Sequence, residues 1–352
     1  MKATMKSGLI LMVSVLFALS VQAELPRVVV LGTGGTIQSK GDTRMTRHDY
    51  RSGRYDIAEL IDALPEVHSI ARVEATQFTN VGSPNLTMSD WIGLATRIDE
   101  MAANDPGIAG FVVTHGTNTM EETAYFLHLV LKTDRPVVLV GAQRPATSIS
   151  GDGPLNLYNA ILLAGRPEAR GLGVMIAMNQ QIGSAREVTK SSTYKVQAFQ
   201  SGDLGQLGVI DPDGVQLFRK PTRRHTFLSE FHAGDFGDIP RVEVVDAYIE
   251  ARGDIVDYLV SEGVHGIVIA GHGGGGMSPA QTEAVTRAVE QGTVVVVASR
   301  TGTGRVIETS RHREMGVITG DNLLPHKARI LLQVALASGR TKAAIHRAFE
   351  TY

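Results

Sequence analysis

The apolar residues of this 352-residue chain come in short β-branched runs that stop at or near glycine. Val28 to Leu31 ends in Gly32, Phe111 to Val113 leads into Thr114-His115-Gly116, and Val137 to Val140 ends in Gly141. Runs of this length and composition read as buried strands. Val73 to Phe78, Leu172 to Ala177, Val242 to Val245, Gly266 to Ala270 and Val294 to Ala298 read the same way. Between them, apolar residues recur at helical spacing, as in Ile57, Leu60, Ile61 and Leu64. Helices are expected over Glu121–Leu131, Pro154–Leu163, Ile255–Ser261, Pro279–Glu290, Leu324–Ala337 and Lys342–Phe349. Strand alternating with helix is the pattern of a parallel sheet covered on both faces.

A chain of this length suggests about two domains. Arg219 to Pro240 breaks the alternation with Arg, His, Pro, Gly and Asp, and reads as a linker. The expected organisation is a larger N-terminal α/β domain over 24–218, a linker over 219–240, and a smaller α/β domain over 241–352. Residues 1–23 stand apart. Lys2 and Lys6 precede an apolar run over Leu9–Leu19, and Val21-Gln22-Ala23 offers small residues for cleavage. This is the layout of a secretory signal peptide, and the run is shorter than the ~20 residues a membrane span needs. A periplasmic location and no membrane attachment after cleavage are expected.

Composition removes several function classes. There are no cysteines, so thiol nucleophiles, disulfides and cysteine-built zinc sites are excluded. The net charge of −2 gives no basic excess for nucleic acid. No His, Asp and Glu spacing suggests a metal site, and no cofactor is expected.

In parallel sheets, ligands bind beyond the carboxyl ends of the strands. Three polar clusters fall there: Gly32-Thr33-Gly34-Gly35-Thr36-Ile37, Thr114 to Thr119, and Gly141-Ala142-Gln143-Arg144-Pro145. The first lacks the third glycine of a dinucleotide fingerprint and the lysine of a phosphate loop. It fits a hydroxyl nucleophile held on bare backbone, with amides free to bind an oxyanion. In the second, Asn118 and Glu121 are spaced as an N-cap and its capping-box partner, as are Thr87 and Asp90 before another helix. Thr117 then sits at a helix N-terminus, where negative charge is favoured. Gly41 and the polar run Asp42–Asp49 suit a lid.

Thr33-Gly34-Gly35-Thr36-Ile37, followed by His115-Gly116-Thr117 and Met120-Glu121-Glu122-Thr123-Ala124-Tyr125, resembles the bacterial L-asparaginases, in particular the exported type II enzymes. The likeness continues through Gly141–Pro145, Asp152–Asn159, Val188-Thr189-Lys190 and His326–Leu332. The resemblance implies a two-lobed α/β fold, a homotetramer built as a dimer of dimers, and hydrolysis of a small-molecule amide through an acyl-enzyme. It implies Thr36 as nucleophile, assisted by Tyr50, with Thr117 and Lys190 as a second hydroxyl and its basic partner. Gly35, Ser83, Pro84 and Asn118 fall where the family binds substrate. Asn118 stands where the family has Asp, Pro84 where it has Gln, and Gly273–Gly276 where a partner subunit usually offers Asn. Glu308 is the nearest match to the family's second-lobe glutamate. His272, beside the four glycines, reads as a loop residue. The expected reaction is hydrolysis of L-asparagine, with glutamine as a second candidate. The departures raise an alternative, the same chemistry on an amide or lactone without an α-ammonium. A periplasmic solute-binding protein is the rival from another class.

Overall fold

The computed structural model describes residues 24–352, and the proposed signal peptide over 1–23 lies outside them. The N-terminal lobe is built on an eight-stranded sheet. Its parallel part comprises β1 (Arg27–Gly34), β2 (Arg72–Val81), β3 (Ile108–Thr114), β4 (Val137–Val140) and β5 (Val174–Met178). They lie in the order 2-1-3-4-5, and all four pairings are parallel. The crossovers contain α1 (Ile57–Asp62), α2 (Met88–Asn104), α3 (Met120–Val130) and α4 (Gly153–Ala164). From β1 the chain moves outward to β2, then returns to place β3 on the other side of β1. That reversal opens a crevice between the carboxyl ends of β1 and β3.

Beyond β5 the sheet continues with antiparallel strands not foreseen from the sequence. β6 (Gln181–Ser184), β9 (Gly208–Asp211) and β10 (Gly214–Leu217) extend it antiparallel. β7 (Thr189–Lys190) and β8 (Phe199–Gln200) form a separate two-stranded ribbon. Residues 219–240 carry two 3-10 turns and bury His225, Thr226, Phe231 and Ala233.

The C-terminal lobe is a four-stranded parallel sheet of β11 (Val242–Asp246), β12 (Gly266–Gly271), β13 (Val294–Ser299) and β14 (Ile318–Thr319). Its helices are α5 (Asp254–Ser261), α6 (Pro279–Glu290), α7 (Ser310–Met315), α8 (Pro325–Ala337) and α9 (Lys342–Thr351).

Three apolar cores explain the layering. One lies between the first sheet and α1 and α4, where Val28, Val30, Ile57 and Ile161 meet. Another lies between the second sheet and α5 and α6, where Ile267, Ile269, Val256 and Val285 meet. The third is shared. Val29, Phe111 and Phe126 of the first lobe join Val268, Val296, Ile330 and Phe349 of the second in one cluster. Strands buried on both faces read as continuous β-branched runs because neither face alternates with solvent.

The Thr87–Asp90 capping box before α2 is present. The one expected at Asn118 and Glu121 is not. The N-cap of α3 is Thr119, with no side-chain cap bond. Asn118 and Glu121 are both drawn to Lys190, far along the chain.

Candidate active site

The loops after β1 and β3 border one open cleft of about 740 Å³. Its walls include Gly35, Thr36, Tyr50, Ser83, Pro84, Thr117, Asn118 and Lys190, so the eight residues singled out from the sequence come together.

The two threonines of the first loop are not equivalent. Thr33 Oγ1 donates to Thr114 O at 2.7 Å and is 2% exposed, so its hydroxyl fastens β1 to β3. Thr36 is half-buried, and its hydroxyl shares a 2.8 Å hydrogen bond with the Tyr50 hydroxyl. Buried Gln38 organises the turn between them. Its Oε1 accepts from Gly34 N at 2.8 Å and from Thr114 Oγ1 at 2.9 Å, and its Nε2 donates to Gln77 and to Tyr55 O. These bonds correct the expectation that the glycine amides are free for an oxyanion. Gly34 N–H is taken by Gln38, and Gly35 N–H by Val81 O at 3.0 Å. Among the described residues, the N–H groups of Thr36 and Thr117 have no acceptor.

Gly35 has φ 84°, and its backbone lies against Gly116. A Cβ there would stand 2.3 Å from Gly116 Cα and N, with no flexible side chain to yield. Left-handed backbone strain of about 1–2 kcal/mol adds to an overpacking cost of about 1–3 kcal/mol. Gly35→Ala is therefore expected to destabilise the fold by about 2–5 kcal/mol, read as a lower denaturant midpoint. An unchanged midpoint would mean that the two loops part easily.

On the facing wall, Lys190 Nζ donates to Thr117 Oγ1 at 2.9 Å and to Asn118 Oδ1 at 3.1 Å. Burial lowers the Lys190 pKa from the ordinary lysine value, and the Glu121 charge partly opposes it. Thr117 is buried and Asn118 exposed. Behind them, His115 Nδ1–H donates to Gly116 O at 2.7 Å, and Nε2 meets Thr123 Oγ1 at 2.9 Å. Burial pushes the His115 pKa down to about 4, so the ring is a neutral brace for the loop at neutral pH.

Ser83 is buried on a 3-10 turn, where its Oγ accepts from Thr119 N at 3.4 Å and its O from Thr119 Oγ1 at 3.1 Å. Pro84 follows on the rim and is exposed. The segment 42–49 is exposed apart from half-buried Thr46, and it forms a flap over the cleft that brings Arg47, His48 and Asp49 to the wall. A Lys40–Arg51 bridge closes its base, and Ser148 Oγ and Ile149 N donate to Thr46 O and Arg44 O.

Several further wall residues carry no site role in the sequence reading. Gln143 lines the cleft, and its buried Nε2 has no partner among the described residues. Glu121 also reaches the wall, and Ser191 to Tyr194 complete the rim. Asp152 holds the third cluster by accepting from Gln143 N and Arg144 N. His272 and Glu308 are not among the lining residues. His272 is exposed on a small turn bridged to Gly276, and Glu308 pairs with Arg313. No group of His, Asp and Glu that could hold a metal ion occurs among the described residues.

Two hydroxyls, one against a phenol and one against a half-buried amine, share a crevice at a strand-order reversal, an arrangement suited to hydrolytic chemistry. Comparison with known proteins gives the family. Residues 27–223 match the asparaginase N-terminal domain, and residues 241–349 match the glutaminase/asparaginase C-terminal domain. The chain is 40% identical to L-asparaginase 2 of Bacillus subtilis, over 95% of this chain and 88% of that protein. It is also 40% identical to a probable periplasmic L-asparaginase of Haemophilus influenzae, over 94% of both chains. A crystal structure of a probable cytoplasmic L-asparaginase from Campylobacter jejuni superposes with a TM-score of 0.89 at 40% identity, covering 93% of this chain and all of that one. The chain belongs to the asparaginase family and is an amidohydrolase.

Proposed function

We propose that the protein hydrolyses the side-chain amide of L-asparagine to aspartate and ammonia, with L-glutamine as a second substrate. The observation that carries this reading is the pair of activated hydroxyls, Thr36 with Tyr50 and Thr117 with Lys190, on one cleft. Relatives named L-asparaginase, and a Pseudomonas fluorescens relative named glutaminase-asparaginase at 36% identity, support it.

In this reading Thr36 Oγ1 attacks the amide carbon, and its proton passes to the Tyr50 hydroxyl as the phenol hands its own on to the departing nitrogen. The free N–H groups of Thr36 and Thr117 face the developing oxyanion. The C–N bond breaks, the nitrogen gains a proton and leaves as ammonia, and an acyl-enzyme on Thr36 remains. Water then attacks the ester, with neutral Lys190 accepting its proton through Thr117, and the C–O bond breaks as a proton returns to Thr36 Oγ1. Gly35, Ser83, Pro84 and Asn118 form the substrate wall. Ammonia release from L-asparagine by the purified protein tests the assignment. Binding of a small molecule without release of ammonia from any acid amide would favour the solute-binding rival.

One observation favours a second reading, an acid amide without an α-ammonium. Among the described residues, the wall carries no carboxylate free to grip an ammonium except exposed Asp49 on the flap. Both Glu121 oxygens are engaged, Asn118 is neutral, and Pro84 has no donor. Losing an ionic partner at exposed Asn118 costs less than it would in a buried charge pair, where the loss is about 2–5 kcal/mol. Asn118→Asp, alone or with Pro84→Gln, is expected to raise kcat/KM for L-asparagine about tenfold, the equivalent of about 1.4 kcal/mol. A micromolar KM in the wild type, with no gain in either variant, would show that other groups hold the ammonium.

We also assign the chain to a homotetramer in the periplasm. Exposed Val244, Tyr248, Ile249, Ile255 and Tyr258 on the second lobe support self-association, since exposed apolar patches mark interaction surfaces. The pattern of residues 1–23 and the periplasmic Haemophilus relative support export. Among the described residues no helix is long and apolar enough to cross a membrane.

A further inference from the structure

Lys190 sits on a two-residue strand that belongs to neither main sheet, yet its amine must meet Thr117 within hydrogen-bond reach. What fixes that strand is a carboxylate from α3. Glu121 Oε1 accepts from Lys190 N at 2.9 Å. Its other oxygen, Oε2, accepts from His326 Nε2–H at 2.9 Å, and the Lys327 ammonium is 3.9 Å from it. His326 and Lys327 lie in the first turn of α8, in the other lobe.

We propose that Glu121 and His326 are positioning residues for the candidate base Lys190, through which the second lobe sets where the lysine stands and which charge it faces. This rests on the reading of Lys190 given above. Glu121 adds one negative charge beside the amine and one acceptor beneath its backbone. Burial alone would raise the Glu121 carboxyl, but the His326 hydrogen bond and the Lys327 charge outweigh it and hold it near 2. The carboxylate is therefore charged across the working range, and it keeps more of Lys190 protonated than burial alone would.

Other charges face the same place. Lys190 shares its cleft with Arg47, His48 and Asp49 of the flap. His326 acts on both Glu121 and Glu122, and Arg329 acts on Glu122 from the same helix. None of these except Glu121 touches the Lys190 backbone. A change confined to Glu121 therefore has a specific signature. In Glu121→Gln the side-chain oxygen still accepts from Lys190 N, and the imidazole accepts from the new amide in its other tautomer. Geometry is kept and one charge is lost.

A neutral Lys190 is the active form, so activity rises with pH as the lysine loses its proton. Removing a nearby negative charge lowers a lysine pKa. The acid limb of the kcat profile is thus expected about one pH unit lower in Glu121→Gln. His326→Leu removes the donor and is expected to cost about tenfold in kcat with KM nearly unchanged, as loss of a hydrogen bond to a charged group predicts. His326→Gln offers a donor of similar reach and should recover most of that loss.

The Lys190 amine is also titrated directly by NMR on lysine-labelled full-length protein, a readout independent of turnover. A lowered Lys190 pKa in Glu121→Gln, with kcat recovered in His326→Gln but not in His326→Leu, supports the proposal. An unmoved Lys190 titration and pH profile in Glu121→Gln would overturn it. So would a His326→Leu protein with wild-type kcat, which settles the matter even if Glu121→Gln does not fold. An inactive wild type with the expected shift in the Lys190 titration would instead count against the proposed reaction and leave the positioning intact.

Discussion

Thr36→Ala is expected to fold normally and to lose about a thousandfold or more in kcat. The loss follows from the proposed role of the hydroxyl, which would form the bond to the acyl group. Normal folding follows from the geometry. Thr36 is half-buried, and its hydroxyl bonds only to the Tyr50 phenol on the flap, so truncation strands no buried partner. Thr33 makes the opposite case. Its hydroxyl holds the Thr114 carbonyl at 2.7 Å in the interior, so Thr33→Ala should lower stability first and activity as a consequence. Measuring ammonia release beside the denaturant midpoint separates the two. A folded Thr36→Ala protein with near-normal turnover would end the nucleophile assignment. A mass increase localised to Thr36 with a slow substrate would support it.

Thr117→Ala and Lys190→Met are each expected to cost about 10²–10⁴-fold in kcat, the range of general acid–base catalysis. The double variant should lose about the same, not the product of the two. The reason is the 2.9 Å bond between Lys190 Nζ and Thr117 Oγ1. In the proposed reaction each residue moves a proton only by handing it to the other, so removing either would disable both. Losses that multiply in the double variant would mean that the two act on separate steps.

The parts of the site legible in the sequence are those coded locally. A β-branched run stopping at glycine announces a strand and the loop beyond it, and the clusters at Thr36 and Thr117 lie where that rule puts them. The Thr87–Asp90 cap was equally readable, because nothing distant competes for its groups. The Asn118–Glu121 spacing looks the same in the sequence but serves another end. Lys190 takes Asn118 Oδ1 and Glu121 Oε1 from about seventy residues away, and His326 takes Oε2 from about two hundred. The cap then falls to Thr119, whose hydroxyl is anchored on Ser83 O. Gln38 was overlooked for the same reason, since its partners Thr114 and Gln77 lie on other strands. The antiparallel strands β6, β9 and β10 escaped notice because they have four residues each and little alternation. Such runs are held by pairing rather than by a pattern of their own.

The buried ammonium of Lys327 has a consequence for how far this protein can be taken apart. Its Nζ donates to the carbonyls of Ala185, Arg186 and Val188, the turn that leads into Lys190. All four residues assigned to the chemistry are encoded before position 191, which makes the first lobe look self-sufficient. A polypeptide ending near 223 would keep all four and still lose the donor that shapes the turn beneath the lysine. It would also bare the apolar face that Val268, Val296 and Ile330 cover. Severed halves of the gene would therefore yield two fragments with a wet interior and a misaimed amine. The lobes can diverge on their outer faces, but they are inherited as one catalyst.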